Sequence, residues 1–209
     1  MKEYQGEKAI ISLTSWKARI NTVSKTIYSL IKSCPGFHIV LTLSEDEFPQ
    51  KEKELPENLL NLIAYFELLW VKKNYKAFKK IAFTLKKYKN VPIISADDDC
   101  IYIENYAQSL YDEWIKTKEN VIRYTYTTRF MTQGPCTLYY NINFPVEQLP
   151  FNIINESKDD YFYAEYLKRN NINIHCCKYS TIPVIFHDDV FPLSKNQRLR
   201  PFYKTNFVD

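Results

Sequence analysis

The stretch VPIISADDDC (91–100) decides how this chain is read. Its first five residues are apolar or small, with β-branched residues at the centre, the composition of a short strand covered on both faces. That strand runs without a spacer into three adjacent acids, Asp97, Asp98 and Asp99. Upstream lie three segments of the same character: KAIISL (8–13), FHIVLTL (37–43) and ELLWV (67–71). Between them, Val23, Ile27, Leu30 and Ile31 have helical spacing, and Cys34, Pro35 and Gly36 stop that helix. A short helix is expected over 58–66. A longer amphipathic one is expected over 75–88, with Phe78, Ile81, Ala82 and Leu85 on one face. Strand and helix therefore alternate four times, which predicts an α/β fold, a mostly parallel sheet with helices on both faces. Beyond residue 100 the pattern loosens. A helix is predicted over 103–117, strands over 121–127, 137–144 and 172–180, and a helix over 159–170.

The chain has 209 residues, which at about 150 residues per domain predicts one domain. Apolar residues at 45% and charged residues at 25% are ordinary for a globular protein, and 17 Tyr and 13 Phe supply ample surface to bury, so disorder is not its character. Gly6, Gly36 and Gly134 are too scattered for a glycine-rich phosphate cradle. No apolar run reaches the ~18–20 residues of a membrane helix. The opening MKEYQGEKAIISL lacks a signal-peptide core, so a cytoplasmic protein is expected. The net charge of +4 does not argue for nucleic acid, but it permits attraction to phosphates or an anionic surface. Five cysteines without a CxxC, two of them adjacent (Cys176 and Cys177), predict reduced and mostly buried thiols.

In an open α/β sheet, ligands bind beyond the carboxyl ends of the strands. Three adjacent carboxylates at such an end repel one another unless a cation or hydrogen-bond donors compensate them. Asp97 and Asp99, two residues apart, can turn to one side of the loop and offer oxygens to a hard divalent ion. A solvated acidic turn capping the next helix is the plainer alternative. The Lys-rich segment from 72 to 96, with eight Lys and no acid, reads mainly as a solvated helix face: Lys76, Lys79, Lys80, Lys86 and Lys87 fall opposite the apolar stripe. His38 and His175 lie within predicted strands and read as structural.

SLTSWKARI (12–20), WVKKNYKAFKKIAFTLKKY (70–88) and IISADDDCIY (93–102) together resemble bacterial glycosyltransferases of the GT-A fold, most of all small enzymes that build capsular or lipo-oligosaccharide surface sugars. The resemblance implies a three-layer, Rossmann-like fold. Residues 1–130 would bind nucleotide, an irregular part (131–190) would meet the acceptor, and a basic tail would follow (191–209). It implies that Asp97 and Asp99 are the two carboxylates of a DxD motif holding Mn²⁺ or Mg²⁺ against the diphosphate of a nucleotide-sugar donor of the UDP type. Asp98 would face the ribose or make a loop hydrogen bond. His187, in the HDD that follows TIPVIF (181–186), is the candidate for a further metal ligand. The loop TSWKAR (14–19) would meet base, ribose and phosphate through Thr14, Trp16 and Arg19; a helix start with Trp16 in the core is the alternative.

Lys80 aligns with a Lys of the family's DYGPxxK block, although NYKAFKK (74–80) lacks its acid, Gly and Pro. Asp159 and Asp160 match an acidic pair placed near the acceptor, one of which would take the acceptor's proton. They also suit a capping box with Ser157. Gly134 alone survives of a Gly-rich turn before TLYY. The expected acceptor is a surface glycan, free or lipid-linked, and the charge of the basic tail over 195–204 permits contact with the inner face of a membrane. Two other readings remain open: a phosphatase of the haloacid dehalogenase type, which also uses DxD but on its first strand, and a non-catalytic sugar-nucleotide or carbohydrate-binding protein.

Overall fold

A computed structural model describes residues 8–124, 136–155, 159–177 and 184–186. The N-terminal part follows the predicted alternation. Strand β1 (Ile10–Thr14) leads to helix α1 (Val23–Ser33), then β2 (His38–Ser44), a 3₁₀ turn at Lys51–Glu54, the single-turn helix α2 (Glu57–Leu60) and β3 (Glu67–Val71). A second 3₁₀ turn at Lys76–Lys80 precedes helix α3 (Ala82–Lys87), and β4 (Ile93–Ser95) ends at the acids. There follow β5 (Cys100–Tyr102), α4 (Tyr106–Thr117), β6 (Val121–Tyr124) and β7 (Thr137–Tyr139). A 3₁₀ turn at Val146–Gln148, α5 (Phe151–Asn155), α6 (Asp159–Arg169), β8 (Ile174–Cys177) and β9 (Val184–Phe186) complete the described elements.

Seven strands form one sheet in the order β3-β2-β1-β4-β7-β6-β8. Strands β3, β2, β1 and β4 are mutually parallel, β7 runs antiparallel between β4 and β6, and β8 is parallel to β6. Six strands thus share one direction, which requires long crossover connections such as the one through α1 between β1 and β2. The two-residue period of each strand splits the core. Ile11, Leu13, Ile39, Leu41, Ile94, Ile122 and Leu138 face α1 and α4 on one side. Ile10, Val40, Ile93, Val121 and Tyr139 face Phe78, Ile81, Leu85, Tyr163 and Leu167 on the other. Helices therefore cover both faces, which is the predicted three-layer arrangement. A separate two-stranded sheet pairs β5 antiparallel with β9. Among the described residues no helix is long and apolar enough to cross a membrane. All five cysteines are free, and four of them are buried.

Three local expectations need correction. The helix expected over 75–88 is broken: the 3₁₀ turn at Lys76–Lys80 meets α3 at Ile81, whose backbone (φ −126°, ψ −32°) lies outside the helical region. This change of winding carries Lys79 and Lys80 inward, so Lys79 is 1% exposed and not on a solvated face. The helix expected over 58–66 ends after one turn at Leu60. The strand expected over 137–144 stops at Tyr139, and Asn141 adopts a left-handed turn conformation (φ +53°) that ends any ladder.

Candidate functional site

Strands β1 and β4 are neighbours, yet the chain leaves β1 toward β2 on one side and returns to β4 on the other. Such a reversal of strand order opens a crevice at the carboxyl ends. The loop after β1 carries Thr14, Ser15, Trp16 and Arg19; the loop after β4 carries Asp97, Asp98 and Asp99. They meet there. Ser15 Oγ donates to Asp98 Oδ2 at 2.6 Å and Arg19 Nη1 to Asp98 Oδ1 at 2.6 Å, while Asp99 Oδ2 lies 3.2 Å from the same guanidinium nitrogen. Arg19 and Asp98 are both buried. Burial alone would lower the Arg19 pKa, but Asp98 and then Asp99 more than offset it, and the guanidinium is held above its ordinary value. Asp98 is therefore engaged in loop hydrogen bonds, one of the two roles expected for it, and the structure pairs Arg19 with it. Trp16 stands partly exposed at 37%, outside the core, and Thr14 Oγ1 donates to the Thr42 carbonyl at 2.7 Å.

The opposite wall comes from the inward-turned lysines. Lys80 Nζ is paired with Asp97 Oδ1 and lies 3.7 Å from Asp159 Oδ2. Ser12 and Thr84 support this segment: Ser12 Oγ donates to the Lys80 carbonyl and lies 2.6 Å from Thr84 Oγ1. Lys80 thus joins the end of β4 to the start of α6, bringing the acid loop and the Asp159/Asp160 pair into one place. Asp159 Oδ2 is buried and has no hydrogen-bond partner among the described residues. Lys79 points to a different set, with Nζ 2.8 Å from Glu47 Oε2, 2.9 Å from Asn74 Oδ1 and 3.5 Å from Ser44 Oγ.

Electrostatically the site is short of positive charge. Five carboxylates (Asp97, Asp98, Asp99, Asp159, Asp160) converge on Arg19 and Lys80. Burial, followed by the Asp97 charge, pushes Asp99 up to about 6. Burial, followed by the Asp159 charge, pushes Asp160 up to about 7, and burial also raises Asp159 in spite of Lys80. Burial by itself would lower Lys80, but Asp97 and then Asp159 hold it well above its ordinary value.

Asp97, Asp99 and Cys100 each bring one potential ligand atom, all within 4.8 Å of one another. Burial and the adjacent carboxylates push the Cys100 thiol well above its ordinary value, so it stays protonated and is a poor ligand. The donor set is therefore two carboxylates. That fits a hard divalent ion that completes its shell with water and phosphate oxygens. His187 and the tail lie outside the described residues, as do Gly134 and Ser157. His38 and His175 are, as expected, structural, bonded to Glu67 at 3.0 Å and Glu113 at 2.8 Å.

Sequence reasoning missed the groups that hold the acid loop. Thr26 Oγ1 donates to the Asp98 carbonyl at 3.0 Å, and the Asp97 amide donates to the Tyr102 hydroxyl at 2.7 Å. Only the packing of α1 and β5 beneath the loop creates these bonds, and no local motif marks them.

No family model matches the chain, and no curated protein matches it by sequence. In structure, the chain is similar to TarS of S. aureus. A crystal structure of TarS 1–349 in complex with UDP matches with TM-score 0.54 and 14% identity, over 83% of this chain and 61% of that one. Another crystal structure of TarS gives TM-score 0.55 and 14% identity, over 82% of this chain and 35% of that one. The chain thus spans less than two thirds of the TarS chains it matches. At this identity the likeness is one of fold, and it agrees with the Rossmann-like α/β expectation.

Proposed function

We propose that this chain is a metal-dependent glycosyltransferase that moves a sugar from a nucleotide-sugar donor, a UDP-sugar, to a surface glycan. The observation that carries the reading is the convergence, at the reversal of strand order, of the Asp97/Asp99 pair with the Asp159/Asp160 pair through Lys80. The similarity of the fold to TarS, one structure of which holds UDP, supports the choice of base. Asp97 and Asp99 would hold Mn²⁺ or Mg²⁺. When bound, the ion would neutralise the leaving diphosphate and orient it.

The chain's own residues supply the rest. Arg19 and Ser15 keep Asp98 and the loop in register. Trp16, exposed beside the loop, offers a face for the nucleobase. Lys80 balances Asp97 and Asp159 and would be available to the donor's phosphates. Asp160, partly exposed and pushed up to about 7, has the affinity for a proton that a general base at neutral pH needs, and it would take the acceptor hydroxyl's proton. The acceptor class, a capsular or lipo-oligosaccharide glycan, rests on the sequence resemblance, as does His187 as a further ligand.

The test is calorimetric titration of UDP and of GDP into the protein with Mn²⁺, with EDTA as control and the Asp97→Ala/Asp99→Ala variant beside it. Micromolar, metal-dependent UDP binding that vanishes in the variant is expected. Absence of binding by either nucleotide refutes the reading. Release of phosphate from simple monoesters would point instead to the phosphatase. UDP binding without any hydrolysis or transfer of a UDP-sugar would leave a binding protein.

A further inference from the structure

The loop between β4 and β5 is only four residues long (96–99) and carries all three acids, so little in its own sequence fixes where each carboxylate points. Besides Lys80 on the Asp97 carboxylate and Ser15 and Arg19 on that of Asp98, a further support lies beneath. The hydroxyl of Tyr102, a residue only 2% exposed, accepts the Asp97 amide at 2.7 Å and lies 3.3 Å from the Asp97 carbonyl, to which it donates. A phenol can serve as donor and acceptor at once. One hydroxyl therefore secures both polar groups of the Asp97 main chain. Tyr102 is itself fixed: its amide donates to Ser29 Oγ at 2.9 Å, Ser29 Oγ donates to the Thr26 carbonyl at 2.7 Å, and its ring packs 4.3 Å from that of Tyr106. The neighbouring Tyr106 is equally buried, but its hydroxyl donates to the carbonyl of Ser95, inside the strand and upstream of the acids.

We propose that Tyr102 is a positioning residue of the cation site, its hydroxyl clasping the Asp97 main chain so that the Asp97 carboxylate stays within ligating distance of Asp99. The inference rests on the assignment of Asp97 and Asp99 as cation ligands. It goes beyond that assignment by naming the group that sets their separation. Outer-shell partners of metal ligands typically govern affinity by about 10–100-fold. Removal of the Tyr102 hydroxyl should act on that scale, whereas removal of the Tyr106 hydroxyl should cost stability alone.

The experiment titrates Mn²⁺ alone into the full chain and follows the loss of the free-ion electron paramagnetic resonance signal. The parent, Tyr102→Phe and Tyr106→Phe are compared, and the Tm of each is measured in EDTA. The expected result is a Mn²⁺ dissociation constant raised about 10-fold or more in Tyr102→Phe and unchanged in Tyr106→Phe, with Tm lowered in both. Ser29→Ala removes the acceptor of the Tyr102 amide while leaving the ring intact. It should weaken Mn²⁺ in the same direction by a smaller factor, which gives a second reading if Tyr102→Phe folds poorly. If the parent binds Mn²⁺ and both Tyr102→Phe and Ser29→Ala bind it equally well, or if Tyr106→Phe weakens it as much as Tyr102→Phe, the positioning role is overturned. A parent that binds no Mn²⁺ overturns the cation site itself, and the positioning role with it.

Discussion

Replacing Asp98 with Asn separates a ligand contact from a structural ion pair. The substitution keeps the shape of the side chain and removes its charge, leaving Arg19 buried with one fewer counter-ion. Truncating one partner of a buried pair costs about 3–5 kcal/mol. Asp99 remains 3.2 Å from the guanidinium and the Ser15 hydroxyl still has an oxygen to bond, so the low end, about 3 kcal/mol, applies here. For a chain of 209 residues each kcal/mol moves Tm by about 2–4 °C, so the expected fall is about 6–12 °C. The assay is thermal denaturation followed by circular dichroism in EDTA at pH 7.5, at 0.05 and 1 M NaCl. Because the pair is out of solvent, salt that screens surface charges should leave the difference between parent and variant nearly intact. An Asp98→Asn protein that melts within about 2 °C of the parent, yet loses UDP binding, would refute the reasoning. Asp98 would then face the nucleotide, and Arg19 would be held by other means.

Lys79→Met should destabilise by up to about 3 kcal/mol, because it leaves the half-buried Glu47 carboxylate with the Ser44 hydroxyl but no cation and removes a donor from Asn74. Adding Glu47→Gln should recover part of that loss in urea denaturation, and strict additivity of the two would show that they do not interact. Asp160 gives a pH signature with a definite sign. Its carboxyl is pushed from the ordinary 3.8 up to about 7, so the folded state holds that proton more tightly than the unfolded chain. The stabilisation is complete below pH ~4 and is lost as pH rises to ~7. In EDTA, Asp160→Asn should therefore be more stable than the parent at pH 8, with the two converging at pH 4. A denaturant midpoint that tracks the parent's at every pH would show that Asp160 titrates normally.

The first four strands could be read from the sequence because each is a short, largely apolar run, buried in β1, β2 and β4 and half-buried at the edge in β3, so composition alone marks it. The acid loop was equally plain, since its position after such a run is a local fact. Lys79 was misread for a physical reason. A stripe at i, i+3, i+4 and i+7 does not distinguish a continuous α-helix from a 3₁₀ turn joined to a shorter helix, and the difference in winding decides which lysines turn inward. Glu47, which makes burial of Lys79 tolerable, lies 32 residues away, and Asp97 lies 17 residues beyond Lys80. Such partners have no signature in a window of one element. The insertion of β7 between β4 and β6, and the pairing of β5 with β9, depend likewise on contacts made across the chain. The Tyr102 hydroxyl holds the Asp97 main chain, which any residue at position 97 other than proline would present.

The pairing of β5 with β9 also sets an order of completion. Strands β1 to β4 can associate once the first hundred residues exist, since every partner in that parallel set lies within them. The acid loop then already has Ser15, Arg19, Thr26 and Lys80 to hold it, but not Tyr102. Its downstream strand waits for residues 184–186, and Lys80 waits for Asp159. Domains emerge from the ribosome N-terminal part first. In this chain the four parallel strands therefore form early, while β5 remains without β9 and Lys80 without Asp159 until residues 159–186 have been made. A nascent chain halted between residues 100 and 159 would pair its first four strands yet leave the surroundings of the acid loop unfinished, a difference that secondary structure alone would not report.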